Sequence, residues 1–120
     1  MTYAEMKRML SLTDDAVMRL EMVMDFGAHL PVVPETASCH EITGCASWVQ
    51  ICVDGNRYYG RADSALVRGI VAILTAMVDG KNATEIKDMD IDAEFRTLNL
   101  NLGAGRLSGL DSMIRFFKNL

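Results

Sequence analysis

Cys39, His40, Cys45 and Cys52 lie close together in the chain. Side chains of these types support nucleophilic attack by a thiolate, metal ligation or disulfide formation. Their spacing separates the three. Residues 46 to 53 alternate, with Val49, Ile51 and Val53 on one side and Trp48, Gln50 and Cys52 on the other, which predicts a β-strand. At about 3.3 Å per residue, such a strand holds Cys45 and Cys52 on the order of 20 Å apart. That is too far for one zinc ion or for a bridge between those two sulfurs. No CxxC pair is present, so a zinc site would need Cys39, His40 and Cys45 with a ligand from elsewhere.

The stretch Ile42-Thr43-Gly44-Cys45-Ala46-Ser47 gives Cys45 the best case for chemistry, because a glycine and a thiol lie directly before a rigid strand. Its structural alternative is a packed core thiol. Cys52, in mid-strand, reads as a small buried hydrophobe, and Cys39 as a loop or strand residue without a role. An odd cysteine count, with no basic-then-apolar leader at Met1-Thr2-Tyr3-Ala4-Glu5, points to free thiols rather than a disulfide framework. A free thiol titrates near 8.5, so a nearby cation would help it ionise. Arg106 is the candidate, placed at the start of the last helix where a positive charge meets the dipole unfavourably. Its alternative is an exposed, solvated arginine. His29 reads as a helix-end cap or a solvated side chain. His40 is a sequence neighbour of Cys45, but a Cys–His pair is defined in space.

The elements that must position these residues follow from periodicity and punctuation. A short helix over residues 1 to 12 precedes a second one capped by Thr13, with Val17, Leu20, Val23 and Met24 as its apolar face and Leu30-Pro31 as its end. Residues 31 to 44 read as a loop with a short strand near Cys39 to Ile42. Asp54-Gly55 signals a hairpin, with Arg57 to Gly60 as the return strand. Asp63 or Ser64 caps a helix to about Val78 that is apolar nearly all round and therefore buried, with Gly69 packed closely on the sheet. Asn82-Ala83-Thr84-Glu85 forms a capping box for a short helix, and Asp92 to Leu98 another. A turn at Leu102 to Arg106 precedes the final helix, with Leu107, Leu110, Ile114 and Phe117 on one face. Helices around a hairpin make an α+β fold with a small antiparallel sheet, expected as one domain over residues 1–120.

Composition narrows the function classes. The chain has 120 residues, half of them hydrophobic, and a net charge of −4. The acidic groups are scattered and no basic run exists, which argues against nucleic acid. The longest apolar run, Gly69 to Val78, falls short of the about 20 residues a membrane helix needs. A cytoplasmic protein is expected, and the core suffices for a monomer or a weak dimer.

Four segments in order resemble the SufE/CsdE family of cysteine desulfuration proteins, over about Leu20 to Phe117. They are Met24-Asp25-Phe26-Gly27-Ala28-His29-Leu30-Pro31, the Cys45 segment, Asp63-Ser64-Ala65-Leu66-Val67-Arg68-Gly69-Ile70, and Arg106-Leu107-Ser108-Gly109-Leu110-Asp111-Ser112-Met113-Ile114. The resemblance implies an α+β fold of the SufE/IscU type and a sulfur-transfer accessory protein rather than a stand-alone enzyme. Cys45 would accept persulfide sulfur from a cysteine desulfurase of the SufS or CsdA kind, stimulate that enzyme, and pass sulfur to an iron–sulfur scaffold. The protein would need no cofactor of its own; the desulfurase carries pyridoxal phosphate. Gly44 would be a hinge for a loop that tucks the persulfide inward, Arg106 would support the loop or partner docking, and Asp63 would lie beside the site. Ala46 stands where the family has glutamine, and Gln50 where it has an aromatic. The alternatives are a desulfurase-binding regulatory module in which Cys45 is incidental, and a small metal-binding scaffold.

Overall fold

The computed structural model describes the backbone of residues 1–102 and 104–120 and the side chains of 1–102 and 109–120. The elements run α1 (Tyr3–Leu10), α2 (Ala16–Ala28), β1 (Ser38–Glu41), β2 (Val49–Asp54), β3 (Arg57–Ala62), α3 (Ala65–Val78), α4 (Ala83–Asp88), α5 (Ile91–Arg96) and α6 (Ala104–Lys118). The strands form one antiparallel sheet in the order β1-β2-β3. The α+β arrangement expected from the sequence is the one observed.

Helix α3 organises the interior. Its apolar residues occur at nearly every position, so no face can be left in water at low cost. Ile70, Val71, Ile73, Leu74, Met77 and Val78 are all buried. One side of α3 lies on the sheet, where Val71 sits against Gly60 of β3. The other side lies on α2. Gly69 does not meet the sheet, as the sequence suggested; a side chain there would run into the backbone carbonyl of Val23. Gly27 faces the same crossing, against the backbone of Arg68 and Gly69. Two glycines thus let two helices approach at backbone distance, a contact that a methyl group on either would block.

That crossing fixes the rotation of α2 and corrects its expected apolar face. Val23, Phe26 and Gly27 turn inward, while Val17 and Met24 are exposed. The helix is capped by Asp15, whose carboxylate accepts the N–H groups of Val17 and Met18 at 2.9 and 3.1 Å. Thr13, the expected cap, instead accepts the N–H of Asp15. An aspartate closer to the first turn satisfies the orphan donors that Thr13 is too distant to reach. Arg19 then ties the connection down, donating to the carbonyls of Leu10, Thr13 and Leu98.

The remaining elements follow their local signals. Ser64 caps α3, and Asn82 and Glu85 make the reciprocal capping box of α4. The hairpin turn is Gly55-Asn56, one residue later than expected, because Asp54 still pairs with Arg57. Helix α5 begins at Ile91, one residue earlier than expected, after Asp90, whose carboxylate caps it. Gly105 and Arg106 belong to α6 rather than to a turn; Gly103 and the side chains of Arg106 and Leu107 lie outside the described residues. Leu110, Met113 and Phe117 face inward, and Lys118 donates to the carbonyls of Ile86, Lys87 and Met89 at the end of α4. A cation there meets the negative end of the helix.

The glycine crossing sets a measurable cost. Gly69→Ala is expected to lower stability by about 3 kcal/mol through overpacking, despite the better helix propensity of alanine. In urea unfolding the midpoint should fall at unchanged slope; an unchanged midpoint would show that the helices separate easily.

Candidate functional site

Cys45 sits on a short loop between two anchored ends. Ile42, buried, donates its backbone N–H to the carbonyl of Val49 at 2.9 Å, closing the base of the loop where the β1–β2 ladder ends. Val49 is fully buried at the start of β2. Between them the backbone reverses at Gly44, whose φ is +87°. That left-handed conformation costs an L-residue about 1–2 kcal/mol, which explains glycine here. Gly44 is also pressed against α6: a Cβ would come within 2.5 Å of the Ser112 hydroxyl oxygen.

Helix α6 supplies the surface on which the loop rests. Gly109 is buried, and a side chain there would meet the Cys45 sulfur at 3.3 Å. The Cys45 thiol lies 3.7 Å from the Gly109 carbonyl oxygen, to which it can donate weakly. Beside it opens a recess of about 240 Å³, lined by Ala46, Val67, Ile70 and Met113, with Ser47 and Ser64 as its polar side chains. The surroundings are mainly apolar, and burial pushes the Cys45 thiol above its ordinary pKa. The raised pKa favours the neutral thiol over the thiolate, the form that attacks sulfur.

The structure distributes the other candidates as follows. Asp63 is exposed at the corner between β3 and α3, its N–H bonded to the Trp48 carbonyl at 3.2 Å, directly before Ser64 at the recess. It thus lies beside the loop's outgoing arm. Arg106 falls in the span of α6, N-terminal to Gly109, but its side chain lies outside the described residues. His29 is the C-cap residue of α2, its Nδ1 2.8 Å from the Asp25 carbonyl, in keeping with a capping role. His40 stacks against Phe116, ring centroids 5.4 Å apart.

Cys39 and Cys52 correct the expectation of free thiols. The β1–β2 register places them directly opposite each other, and they are joined as a disulfide with Cα atoms 4.0 Å apart. β2 begins at Val49 rather than at about Ala46, since residues 46–48 belong to the Cys45 loop, and Cys39 returns opposite Cys52 on the neighbouring strand. Cys39 and Cys52 therefore have a structural role, and Cys45 is the free cysteine. A bridged Cys39 has no thiolate to offer zinc, and among the described residues no three His, Cys, Asp or Glu side chains converge as ligands. No helix among them is long and apolar enough to cross a membrane.

Gly109 and Ser112 were within the C-terminal motif but not recognised as site residues. The available signal was a glycine inside an amphipathic helix, which costs about 1 kcal/mol against alanine and so calls for a reason. The reason is the sulfur packed against it.

A family model for the Fe-S metabolism associated SufE domain matches residues 4–120. The chain belongs to the SufE family. It is similar to an uncharacterized SufE-like protein of Rhizobium meliloti, 35% identical over 113 residues that cover 84% of this chain and 81% of the relative. It is similar to the sulfur acceptor protein CsdE of Escherichia coli, 33% identical over 96 residues that cover 72% and 65%. It is 28% identical over 105 residues to the cysteine desulfuration protein SufE of Wigglesworthia glossinidia brevipalpis, covering 80% and 73%.

Two outcomes test the resting geometry. Because burial raises the Cys45 pKa, alkylation by iodoacetamide should rise with pH later in the folded protein than in urea. The matching stability term is full below the unfolded thiol pKa of about 8.5 and is lost as pH rises through the raised folded value. Gly44→Ala, strained at positive φ and opposed by Ser112, should cost about 1–2 kcal/mol and speed Cys45 alkylation at neutral pH. Unchanged alkylation would mean that the loop rests elsewhere.

Proposed function

We propose that the protein is a sulfur acceptor that takes persulfide sulfur from a cysteine desulfurase onto Cys45. The observation that carries this reading is the free Cys45 thiol, held in a mainly apolar recess on a loop that turns at Gly44 in a SufE-family chain. In the transfer step the Cys45 thiolate attacks the outer sulfur of the desulfurase persulfide. A new S–S bond forms at Cys45, the old one breaks, and the desulfurase cysteine leaves as a thiolate. A second attack, by an acceptor thiol of an iron–sulfur scaffold, would remove that sulfur and regenerate Cys45.

The recess supports the two halves of this task in different loop positions. Tucked in, an added sulfur would be shielded by Val67, Ile70 and Met113 from water and stray thiols. Swung out about Gly44, the thiol would meet the desulfurase, a pyridoxal-phosphate enzyme of the SufS or CsdA type, and lose the burial that keeps it neutral. Arg106, by resemblance to the family, would steady the loop or the docked partner, and Asp63 would lie alongside. Trp48, 38% exposed on the loop's outgoing arm, offers apolar contact area for that partner. In this scheme Cys45 is the nucleophile, but the sulfur comes from the desulfurase, which makes the protein an accessory to that enzyme.

Incubation with a cysteine desulfurase and L-cysteine without reductant, followed by intact mass spectrometry, should show one added sulfur on Cys45. Cys45→Ser should fold normally and take no sulfur. If the desulfurase is still stimulated by Cys45→Ser, the protein is a docking regulator; if Cys45→Ser still accepts sulfur, the assignment of Cys45 is wrong.

A further inference from the structure

The Cys39–Cys52 pair has a place in the chain that a purely architectural bridge would not need. It closes a ring with a sequence separation of 13, and Cys45 lies near the middle of that ring. The Cys45 loop therefore lies inside the ring, joined to each bridged residue through a short stretch of paired β1–β2 backbone. The arm on the β1 side is otherwise weakly held. β1 has four residues, all exposed, and pairs with β2 alone at the edge of the sheet. Short exposed edge strands are the elements that open locally at little cost.

The two sulfurs also differ in access. Cys39 is exposed, whereas Cys52 is 0% exposed. A thiolate from solution can reach the bridge at Cys39, with Cys52 as the leaving group. On the outer face of β2, the Gln50 side-chain oxygen lies 3.8 Å from the Cys52 sulfur and accepts from the Arg61 guanidinium at 2.7 Å. The Cys52 sulfur, once released and protonated, thus has a hydrogen-bond acceptor for its thiol form.

We infer that Cys39 and Cys52 are a redox-active dithiol–disulfide site that sets how freely the Cys45 loop opens. The substrates of this site are low-molecular-weight thiols and disulfides. Oxidation removes two electrons and two protons from the pair, and a small disulfide such as glutathione disulfide takes them up and leaves as two thiols. In the reverse direction an external thiolate attacks the Cys39 sulfur, the bridge breaks and Cys52 leaves. A second external thiolate then attacks the external sulfur of that mixed disulfide, releasing Cys39 and a small disulfide. In the bridged form β1 is stapled to β2 and the Cys45 loop stays seated on α6. In the dithiol form β1 can peel from the edge, taking Glu41 and Ile42 with it, and Cys45 comes out more often.

The consequence for sulfur transfer rests on the acceptor reading of Cys45, but the redox site does not, and the test keeps them apart. The whole protein is equilibrated in glutathione buffers of graded ratio, and the state of Cys39 and Cys52 is read by differential alkylation and peptide mass spectrometry. The alkylation rate of Cys45 is then measured in each state, with no desulfurase present. The pair should titrate reversibly between dithiol and disulfide, and Cys45 should react roughly tenfold more slowly in the bridged form, since its exposure follows the local opening equilibrium. The variant Cys39→Ser should react fast at every ratio, with circular dichroism confirming its fold. If it fails to fold, Cys52→Ala serves as the second unbridged form. A pair that stays in one state across the whole series, or a Cys45 rate that is the same in both states, overturns the inference. Failure of persulfide transfer alone, with the alkylation difference intact, would count against the acceptor reading and leave the redox site standing.

Discussion

The site depends on the burial of one helix. α3 has apolar side chains on almost every face, so it is stable only if covered from several sides at once. The sheet covers one side through Gly60 and Val71, and α2 covers another through Gly27 and Gly69. Val67 and Ile70, from the same helix, supply part of the wall beside Cys45. The recess is therefore not a separate construction but the place where loop and α6 complete the cover over α3. A change in the α2–α3 crossing would reach Cys45 through that wall without touching the loop itself.

The environment of Cys45 opposes its proposed reactivity. Apolar packing favours the neutral thiol, whereas attack on sulfur needs the thiolate. The two demands are compatible if storage and reaction take place in different positions of one loop. In the proposed scheme Gly44 would be the hinge, and the contacts of Gly44 with Ser112 and of Cys45 with Gly109 are those of the seated position. The alternative, a regulator in which Cys45 is incidental, leaves unexplained why a glycine of α6 makes room for the Cys45 sulfur.

Much of this was legible in the sequence, and the failures have specific causes. Local signals were reliable: Ser64, Asn82 with Glu85, and the alternation of β2 act within a few residues of themselves. Cys45 could be singled out because a glycine and a strand flank it. Long-range choices were not legible. The inward face of α2 is selected by a glycine contact with α3, so counting apolar residues chose Val17 and Met24 wrongly. The pairing of Cys39 with Cys52 depends on the register of a four-residue strand, which carries almost no periodic signal. Gly109 has meaning only once the Cys45 loop is known to lie upon it.

The size of the recess has a kinetic corollary. At about 240 Å³ it exceeds the room one more sulfur atom would take, and a water molecule claims roughly 30 Å³ of liquid. The walls are mostly apolar, from Ala46, Val67, Ile70 and Met113, with Ser47 and Ser64 as the polar residues. A sulfur cargo would then meet little resistance on entering and would gain little specific grip once inside. Its residence time would be governed by how often the loop lifts rather than by attraction to the walls. The protein would behave as a timer for its cargo, with the clock rate set by the hinge and the seat on α6.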